Sequence, residues 1–225
     1  MDVEVKIENV KYVQEFSKSD STAYIMSVII ISPDEIPGFI RNAFRNKYNT
    51  AEFKEFMSEY FNDYDYVGFI IDRDVSDEFL ATLLLLLNVY NNVYVFVHNL
   101  DHDINYILSE RFEEEIEKTE TYRTHKGTFF KVYNIRGNSV YFIDTLPFTR
   151  RSVEEIGKHY NLNKIEVKPY LVKDDPELTR KYVMRDSEIV AVYVLNNIKN
   201  IKSIVKGKIF YDKGFDKAIE LFPMI

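Results

Sequence analysis

Residues 93–108, VYVFVHNLDHDINYIL, place a polar cluster between an apolar run and a segment of helical periodicity. The apolar run 93–97 predicts a buried strand, and the spacing of apolar residues from Ile104 onward predicts a helix. Between them, residues 98–103 (HNLDHD) carry side chains that hydrogen-bond or bind metal ions. A carboxylate at such a corner lies at the rim of a sheet, where ligands of open α/β sheets usually bind. Asp103 is therefore our first candidate site residue.

The segments on either side predict an order of strand, strand, strand, helix, strand, helix, hairpin and further helices. Three leading strands followed by helix, strand and helix is the order of the ribonuclease H-like fold. We therefore predict an α/β protein of one domain, residues 1–225, with a mixed central sheet flanked by helices and a β-hairpin insertion. Residues 33–64 are predicted as a helical insertion. The predicted strands are 10–16, 23–32, 66–71, 93–97, 128–135 and 139–143, the last two joined by a turn at residues 136–138 (RGN). The predicted helices are 51–61, 77–90 (capped by Ser76), 104 onward, 152–160 (with Ser152 and Glu155 at capping-box spacing) and 176–198.

Composition excludes several classes of protein. The 225 residues include no cysteine, so disulfides and thiolate metal sites are excluded. Hydrophobic residues make up 46% and charged residues 29%, as in globular proteins. The first ten residues do not form a signal peptide, and asparagines interrupt the most apolar stretch before it could span a bilayer. We expect a cytoplasmic protein that does not enter the membrane.

Charge is divided unevenly along the chain, although the net charge of -7 argues against general nucleic-acid binding. Residues 1–149 hold 14 Lys+Arg and 25 Asp+Glu, whereas residues 150–217 hold 15 and 10. One interpretation is a solvated surface without function. The other is an acidic half that binds metal and a basic half that meets phosphate, with one face formed by Arg150, Arg151, Lys158, Arg180 and Lys181.

A second candidate cluster lies in the predicted helix 176–198. Tyr182 and Asp186 are four residues apart, so both lie on one helical face. That face is otherwise apolar, with Val183, Ile189 and Val190 beside them. An ordinary surface pair is the alternative interpretation, just as Asp103 alone could be an acid at the start of a helix.

Taken together, these segments resemble the 3′-5′ exonuclease domain of family B DNA polymerases, most closely the protein-primed polymerases of phages and mobile elements. The second motif of that family is close to F-H-N-L-x-F-D, and residues 97–103 read VHNLDHD. The third is Tyr-x-x-x-Asp, and residues 182–186 read YVMRD. Residues 144–146 (DTL) resemble the family's Asp-Ser-Leu element. Residues 215–225 resemble the segment where the palm domain begins, so about 200–225 is expected to be a C-terminal extension and the chain to stop where the polymerase would start.

The resemblance implies a site with two cations, Mg²⁺ or Mn²⁺, over the scissile phosphate of a single-stranded DNA 3′ end. Asp103 and Asp186 would be metal-binding carboxylates, and Tyr182 would orient the attacking water or the phosphate. The implied contacts with DNA are made by Asn99, His102 (by stacking), Thr145, Leu146, Arg150 and Arg151. The family's basic residue near the third motif would be Lys168 or Lys173.

The resemblance departs from the family at the first motif, which should read Asp-x-Glu at the end of the first strand. The best-aligned residues are Glu15-Phe16-Ser17, so Glu15 is the implied catalytic metal ligand and Ser17 offers no charge. With a bridging carboxylate missing, we expect one well-bound cation or none, and cleavage that is weak or absent. The carboxylates that could substitute are Asp2 with Glu4, Asp20, and Asp72 with Asp74.

Three functions remain open from the sequence. The first is a 3′-5′ exonuclease with a weakened site. The second is the same fold without catalysis, acting as a nucleic-acid-binding or protein-interaction module. The third is a ribonuclease H-like fold of unrelated function.

Overall fold

A computed structural model describes residues 2–7, 21–44, 46–108, 110–124, 127–165 and 175–210. In this part of the chain the protein is a mixed α/β structure with two four-stranded sheets and helices packed on them. In chain order the elements are β1 (Asp2–Ile7), β2 (Ser21–Ser32), α1 (Gly38–Ala43), β3 (Lys47–Tyr48), α2 (Ala51–Tyr60), β4 (Asp65–Ile71), α3 (Val75–Leu87), β5 (Asn92–Val97), α4 (Leu100–Ile107), α5 (Glu110–Glu115), β6 (Ile116–Thr124), β7 (Gly127–Ile135), β8 (Asn138–Asp144), α6 (Leu146–Thr149), α7 (Val153–His159) and α8 (Pro176–Phe210).

The first sheet is antiparallel, in the order β1-β2-β4-β3. Strand β2 lies between β1 and β4, and its pairing with β4 runs from Met26 opposite Ile71 to Ser32 opposite Asp65. Strands β1 and β4 therefore run in the same direction, and both end toward the start of β2.

The second sheet is mixed, in the order β5-β8-β7-β6. Strands β5 and β8 are parallel, and Val97 lies opposite Asp144 in their register. Because these are the last residues of the two strands, the chain leaves both at the same edge of the sheet. The polar residues that follow each strand are consequently neighbours.

Apolar residues cover both faces of the second sheet. Phe130, Val132 and Ile143 belong to a core shared with helices α2, α7 and α8, whereas Tyr133, Val140 and Phe142 belong to a core shared with α3, α4 and α5. Alternate residues of a strand point to opposite faces, which explains this division. Helices α4 and α8 therefore lie on opposite faces of the sheet.

Helix α8 crosses both sheets, and it contacts β1, β2 and β5. Its attachment to β2 includes a buried polar contact: the Ser27 hydroxyl donates to the carbonyl oxygen of Val183 at 2.7 Å and lies 2.6 Å from the Ser187 hydroxyl. These bonds fix the rotation of the helix next to Tyr182 and Asp186.

Most predicted elements are present, with differences that have local causes. The predicted mixed central sheet is two separate sheets, and residues 33–64 contain the short strand β3 besides helices α1 and α2. Helix α1 begins only at Gly38, because Pro37 itself has an extended ψ of 139° and a proline disfavours the helical conformation of the residue before it. Helix α8 continues to Phe210, through the start of the predicted extension. Predicted strand 10–16 and residues 211–225 lie outside the described residues, and β1, α5, β6 and α6 were not predicted.

Two helix starts also differ from prediction. Helix α3 begins at Val75 with Asp74 as its N-cap, and Ser76 instead donates its hydroxyl to the carbonyl of Tyr106, on α4. Helix α4 begins at Leu100, so Asp103 lies inside its first turn and not before it. Helix α7 does follow the prediction, since Ser152 and Glu155 form the capping box that their spacing indicated.

Gly157 is required where α7 turns back against α8. Its carbonyl accepts from Leu162 N–H at 2.8 Å, and a Cβ at this position would collide with the carbonyl oxygen of Leu162 and approach Ile189 Cδ1 to 2.8 Å.

We expect Gly157→Ala to lower the free energy of unfolding by about 1–3 kcal/mol, since backbone atoms cannot move aside cheaply. Urea denaturation measures this, with Gly38→Ala as the matched control. A Cβ on Gly38 meets nothing within 4 Å, so that variant should stay within about 0.5 kcal/mol. Equal effects at both positions would contradict the argument.

Candidate functional site at the ends of two parallel strands

The corner between β5 and α4 is held by a carboxylate from the neighbouring strand. Asp144 accepts hydrogen bonds from the backbone N–H groups of Asn99 (2.9 Å), Leu100 (3.0 Å) and Leu146 (2.9 Å). The N–H groups at a helix start have no partner within the helix, and the side chain of the N-cap Asn99 makes no capping bond. Asp144 therefore caps α4 from β8.

Asn99 has the left-handed backbone conformation that this corner requires, with φ 77°. Asparagine tolerates this region better than most residues. The side chain of Asn99 is exposed beside the end of β5, so it is accessible to a ligand at this edge.

His98 and Thr145 join the ends of the two strands. The backbone N–H and the hydroxyl of Thr145 both lie within hydrogen-bond distance of the Val97 carbonyl, and Thr145 Oγ1 lies 2.9 Å from His98 Nδ1. The Thr145 side chain is fully buried, so in this structure it supports His98. Burial lowers the pKa of His98 to about 4, and the charge of Lys164 acts in the same direction. The imidazole is therefore neutral at neutral pH.

Asp103 is a buried acid on the inner side of α4, with 5% of its surface exposed. Its Oδ1 lies 2.8 Å from His102 Nδ1. The exposed ring of His102 also lies against Tyr106, with 5.4 Å between ring centroids. His102 was assigned by resemblance to stacking on a base, and here its ring is held beside the carboxylate.

The third-motif residues meet a lysine that the sequence analysis did not select. Lys164 Nζ lies 2.5 Å from Asp186 Oδ2 and 4.9 Å from the centroid of the Tyr182 ring. Asp186 is 2% exposed. Burial alone would lower the pKa of Lys164, but the hydrogen bond and the charge of Asp186 raise it above its ordinary value. The ammonium group therefore stays charged and offsets the buried carboxylate.

The predicted site residues thus form two groups on opposite faces. Asp186 and Tyr182 lie with Lys164 on the α8 face, and the charge of Lys164 reaches His98 at the strand end. Asp103 lies on the α4 face, in the helix that Asp144 caps. The two faces meet at the edge where β5 and β8 end.

The remaining candidates lie in several places. Leu146 begins α6, and Arg150 follows that helix with φ 54° and an exposed side chain, while Arg151 is half-buried. Lys158 pairs with Glu154 on α7, and Arg180 pairs with Asp72. Glu15, Ser17, Asp20, Lys168 and Lys173 lie outside the described residues.

Three residues at this edge were missed or left without a role: Asp144, His98 and Lys164. Asp144 stands at the end of an apolar strand, which is a usable sequence signal for a residue at a sheet edge. The role of Lys164 has no comparable signal, because its contact with Asp186 depends on the turn after α7.

Two of the described residues have the chemistry of metal ligands. Asp103 and Asp186 are buried carboxylates of the kind that bind Mg²⁺ or Mn²⁺ through oxygen, and each lies against a nitrogen of a basic side chain. Among the described residues, no three or more His, Asp or Glu side chains are grouped so that they could hold an ion. A complete site would need a further carboxylate from residues whose side chains the structure does not describe, and those of β1 are among them.

Comparison with known proteins finds no match among protein-family models, curated proteins or solved structures.

No helix in the described ranges is both long enough and apolar enough to cross a membrane.

The lowered pKa of His98 predicts that the folded protein loses stability as the pH falls below neutrality. The unfolded chain binds a proton on this histidine below about pH 6.5, but the folded protein does so only below about 4. Unfolding therefore takes up a proton between these values, and stability falls as the pH is lowered. From pH 7.5 to 5, wild type should lose about 2 kcal/mol more than His98→Gln, which does not titrate.

Urea denaturation of both proteins at each pH measures this difference. The comparison also cancels the contribution of Asp144 to the pH dependence. Burial raises the pKa of Asp144 to about 6, so its effect on stability has the opposite sign to that of His98. Parallel pH dependence in the two proteins would contradict a neutral, buried His98.

Proposed function

We propose that this protein is a 3′-5′ exonuclease-like protein that acts on single-stranded DNA ends with divalent cations. The observation that carries the proposal is the burial of two acids, Asp103 in the first turn of α4 and Asp186 on α8 beside Lys164 and Tyr182. Buried carboxylates are costly unless they are neutralised or bind cations. The same two residues are those selected through the exonuclease motifs.

A ribonuclease H-like arrangement of the exonuclease type is the fold that we propose within the α/β class. The leading antiparallel strands β1, β2 and β4 precede a helix, a strand and a second helix, as that fold requires. Helices α4 and α8, which carry the second and third motifs, both contact β1. For the two sheets to be the single central sheet of that fold, β1 would have to pair with β5.

Each residue then has a chemical task. Asp103 and Asp186 would hold the cations, which would activate water and neutralise the charge of the leaving oxygen. Tyr182 would orient the phosphate or the water. Lys164 remains charged at neutral pH and would offset the negative charge that develops on the phosphate. Asn99 would hold the 3′-terminal nucleotide.

Strand β1 is the best source of the carboxylates that the first motif would supply. This strand contains Asp2-Val3-Glu4, which has the Asp-x-Glu spacing of the first motif. In the register of the first sheet, Glu4 lies opposite Ile25, the residue before Met26, and Met26 lies opposite the last residue of β4. The backbone of this segment is thus level with the end of β4. We therefore propose Asp2 and Glu4 in place of the aligned Glu15 and Ser17.

A binding module without catalysis is the second candidate. The observation in its favour is the ion pair between Lys164 and Asp186, which neutralises this carboxylate without a metal. In that case DNA would bind at the same edge and remain intact.

Asp186→Asn and Asp103→Asn should each abolish degradation of single-stranded DNA. With Mg²⁺ or Mn²⁺, wild type should shorten a 5′-labelled oligonucleotide from its 3′ end, and each variant should be slower by more than about 100-fold. Losses of 10–100-fold are typical of residues that only support metal ligands. The exposed Asp63 provides a matched control, and Asp63→Asn should retain full activity.

Two results would contradict catalysis at this edge. Wild type that binds the oligonucleotide without shortening it would establish the binding module. Cleavage that survives both substitutions would locate the chemistry elsewhere.

The choice of first-motif residues is tested separately. If Asp2 and Glu4 complete the site, Asp2→Asn and Glu4→Gln should each reduce cleavage by more than about 100-fold, whereas Glu15→Gln should change it little. Cleavage rates and the Mn²⁺ concentration for half-maximal rate are the measurements. Loss of cleavage in Glu15→Gln alone would restore the aligned first motif.

A further inference from the structure

A cleft of about 260 Å³ lies beside the end of β4, apart from the contacts around Asp186. Its size is near the lower limit of small-molecule sites, about 300 Å³. The lining is polar and aromatic, and the residues that matter for recognition are Phe44, Asn46, Asp72, Arg73, Glu78 and Arg180.

Asp72 orients two of these side chains. Its Oδ1 accepts from Asn46 Nδ2 at 2.9 Å, and its Oδ2 accepts from Arg180 Nη2 at 2.7 Å. The backbone of Asn46 is also held, because its carbonyl accepts from Ile70 N–H at 3.0 Å. The Asn46 amide oxygen is therefore fixed in orientation. Arg180 uses one of its five guanidinium N–H donors in its hydrogen bond to Asp72.

A second guanidinium group stands at the rim of the cleft. Arg73 is exposed, and within the described part of the chain it makes no hydrogen bond or ion pair. The guanidinium fork matches the oxygens of a phosphate group, so Arg73, with Arg180 beside it, is suited to a phosphate-bearing ligand. Asp72 pairs with Arg180, and Glu78 adds a second negative charge to the lining, so the main phosphate contact is assigned to Arg73.

The wall of the cleft is a pair of parallel aromatic rings. Phe44 stacks on Phe69 with 3.8 Å between centroids and 8° between planes. Phe69 is buried, whereas Phe44 is only half-buried. A flat aromatic surface of this kind stacks with any nucleobase.

We infer that this cleft binds one nucleotide unit, with its phosphate at Arg73 and Arg180 and its base against Phe44 near the Asn46 amide. The inference rests on the proposed function, because it takes the bound nucleotide to be part of a DNA strand. Arg180 and Asp186 are six residues apart on α8, or about 9 Å along the helix axis. Six residues also correspond to about 120° around the axis, so a strand that reaches both places would have to pass around the side of α8. A free nucleoside monophosphate carries the same phosphate and base, so it is the alternative ligand of the cleft.

The experiment measures binding of 5′-fluorescein-labelled (dT)8 and of unlabelled dTMP to the full chain without divalent cations. Arg73→Gln should reduce the salt dependence of (dT)8 binding, lowering the slope of log K against log salt by about 0.7, the value for one lost phosphate contact on a single strand. Phe44→Leu should weaken binding at least about fivefold with the slope unchanged, because it removes stacking and no charge.

Arg136→Gln is the matched control, since Arg136 pairs with Glu115 at the β7–β8 turn, at the opposite end of β8. Affinity and slope should both match wild type. If Arg73→Gln and Phe44→Leu also match it while (dT)8 binds and Asp186→Asn abolishes cleavage, the cleft inference is wrong and the proposed function stands.

Two further outcomes separate the proposals. If dTMP binds in a manner that depends on Arg73 and Phe44 but (dT)8 does not bind, the cleft takes a free nucleotide and not a strand. If neither probe binds, the cleft inference is wrong. In both cases cleavage of the 5′-labelled oligonucleotide with Mg²⁺ or Mn²⁺ decides separately whether the proposed function stands.

Discussion

The three hydrogen bonds to the Asp144 carboxylate are the constraint on which the candidate site depends. Two of them, from Asn99 and Leu100, connect the last residue of β8 to the start of α4, so the helix cannot shift without breaking them, and the third comes from Leu146 at the start of α6. The carboxylate is 4% exposed and loses its hydration, which raises its pKa to about 6, while the backbone donors act in the opposite direction. Leaving these donors unpaired would cost about 1–3 kcal/mol each. The parallel pairing of β5 and β8 makes the arrangement possible, since it brings Val97 opposite Asp144.

A second constraint follows from placing charge in the interior. Asp186 is almost fully buried on α8, and a buried charge is stable only when an opposite charge or a cation lies close to it. Lys164 meets this need at 2.5 Å, and it follows the turn at the end of α7 that Gly157 permits. The packing of α7 is thus linked to the chemistry of the site. The same ion pair is compatible with an enzyme, whose lysine stabilises a phosphate, and with a binding module.

The segment between β2 and β4 adds a surface of its own. It contains α1, β3 and α2, and α2 packs Phe53, Phe56 and Met57 into the core that includes α8. Phe44 and Asn46 lie between α1 and β3, where they meet the end of β4 and the start of α8. The segment therefore contributes to both the core beneath α8 and the cleft. A nucleotide in that cleft would extend the contact with a strand beyond its terminal residue.

Local pattern was sufficient for much of the secondary structure. The run 93–97, the capping pair Ser152 and Glu155, and the turn of residues 136–138 each predicted an element that is present, because strand alternation, capping and turn conformation depend on neighbouring residues. Asp103 could also be selected from sequence because it stands at a strand-to-helix corner, and Tyr182 and Asp186 because helical spacing put a phenol and an acid on a largely apolar face. Tertiary structure decided what these residues meet. The pairing of Asp186 with Lys164 spans 22 positions of chain, and the capping of α4 by Asp144 spans more than 40, so neither leaves a periodic signal. Both depend on which strands become neighbours and how two helices pack against them, and long-range packing alone determines that.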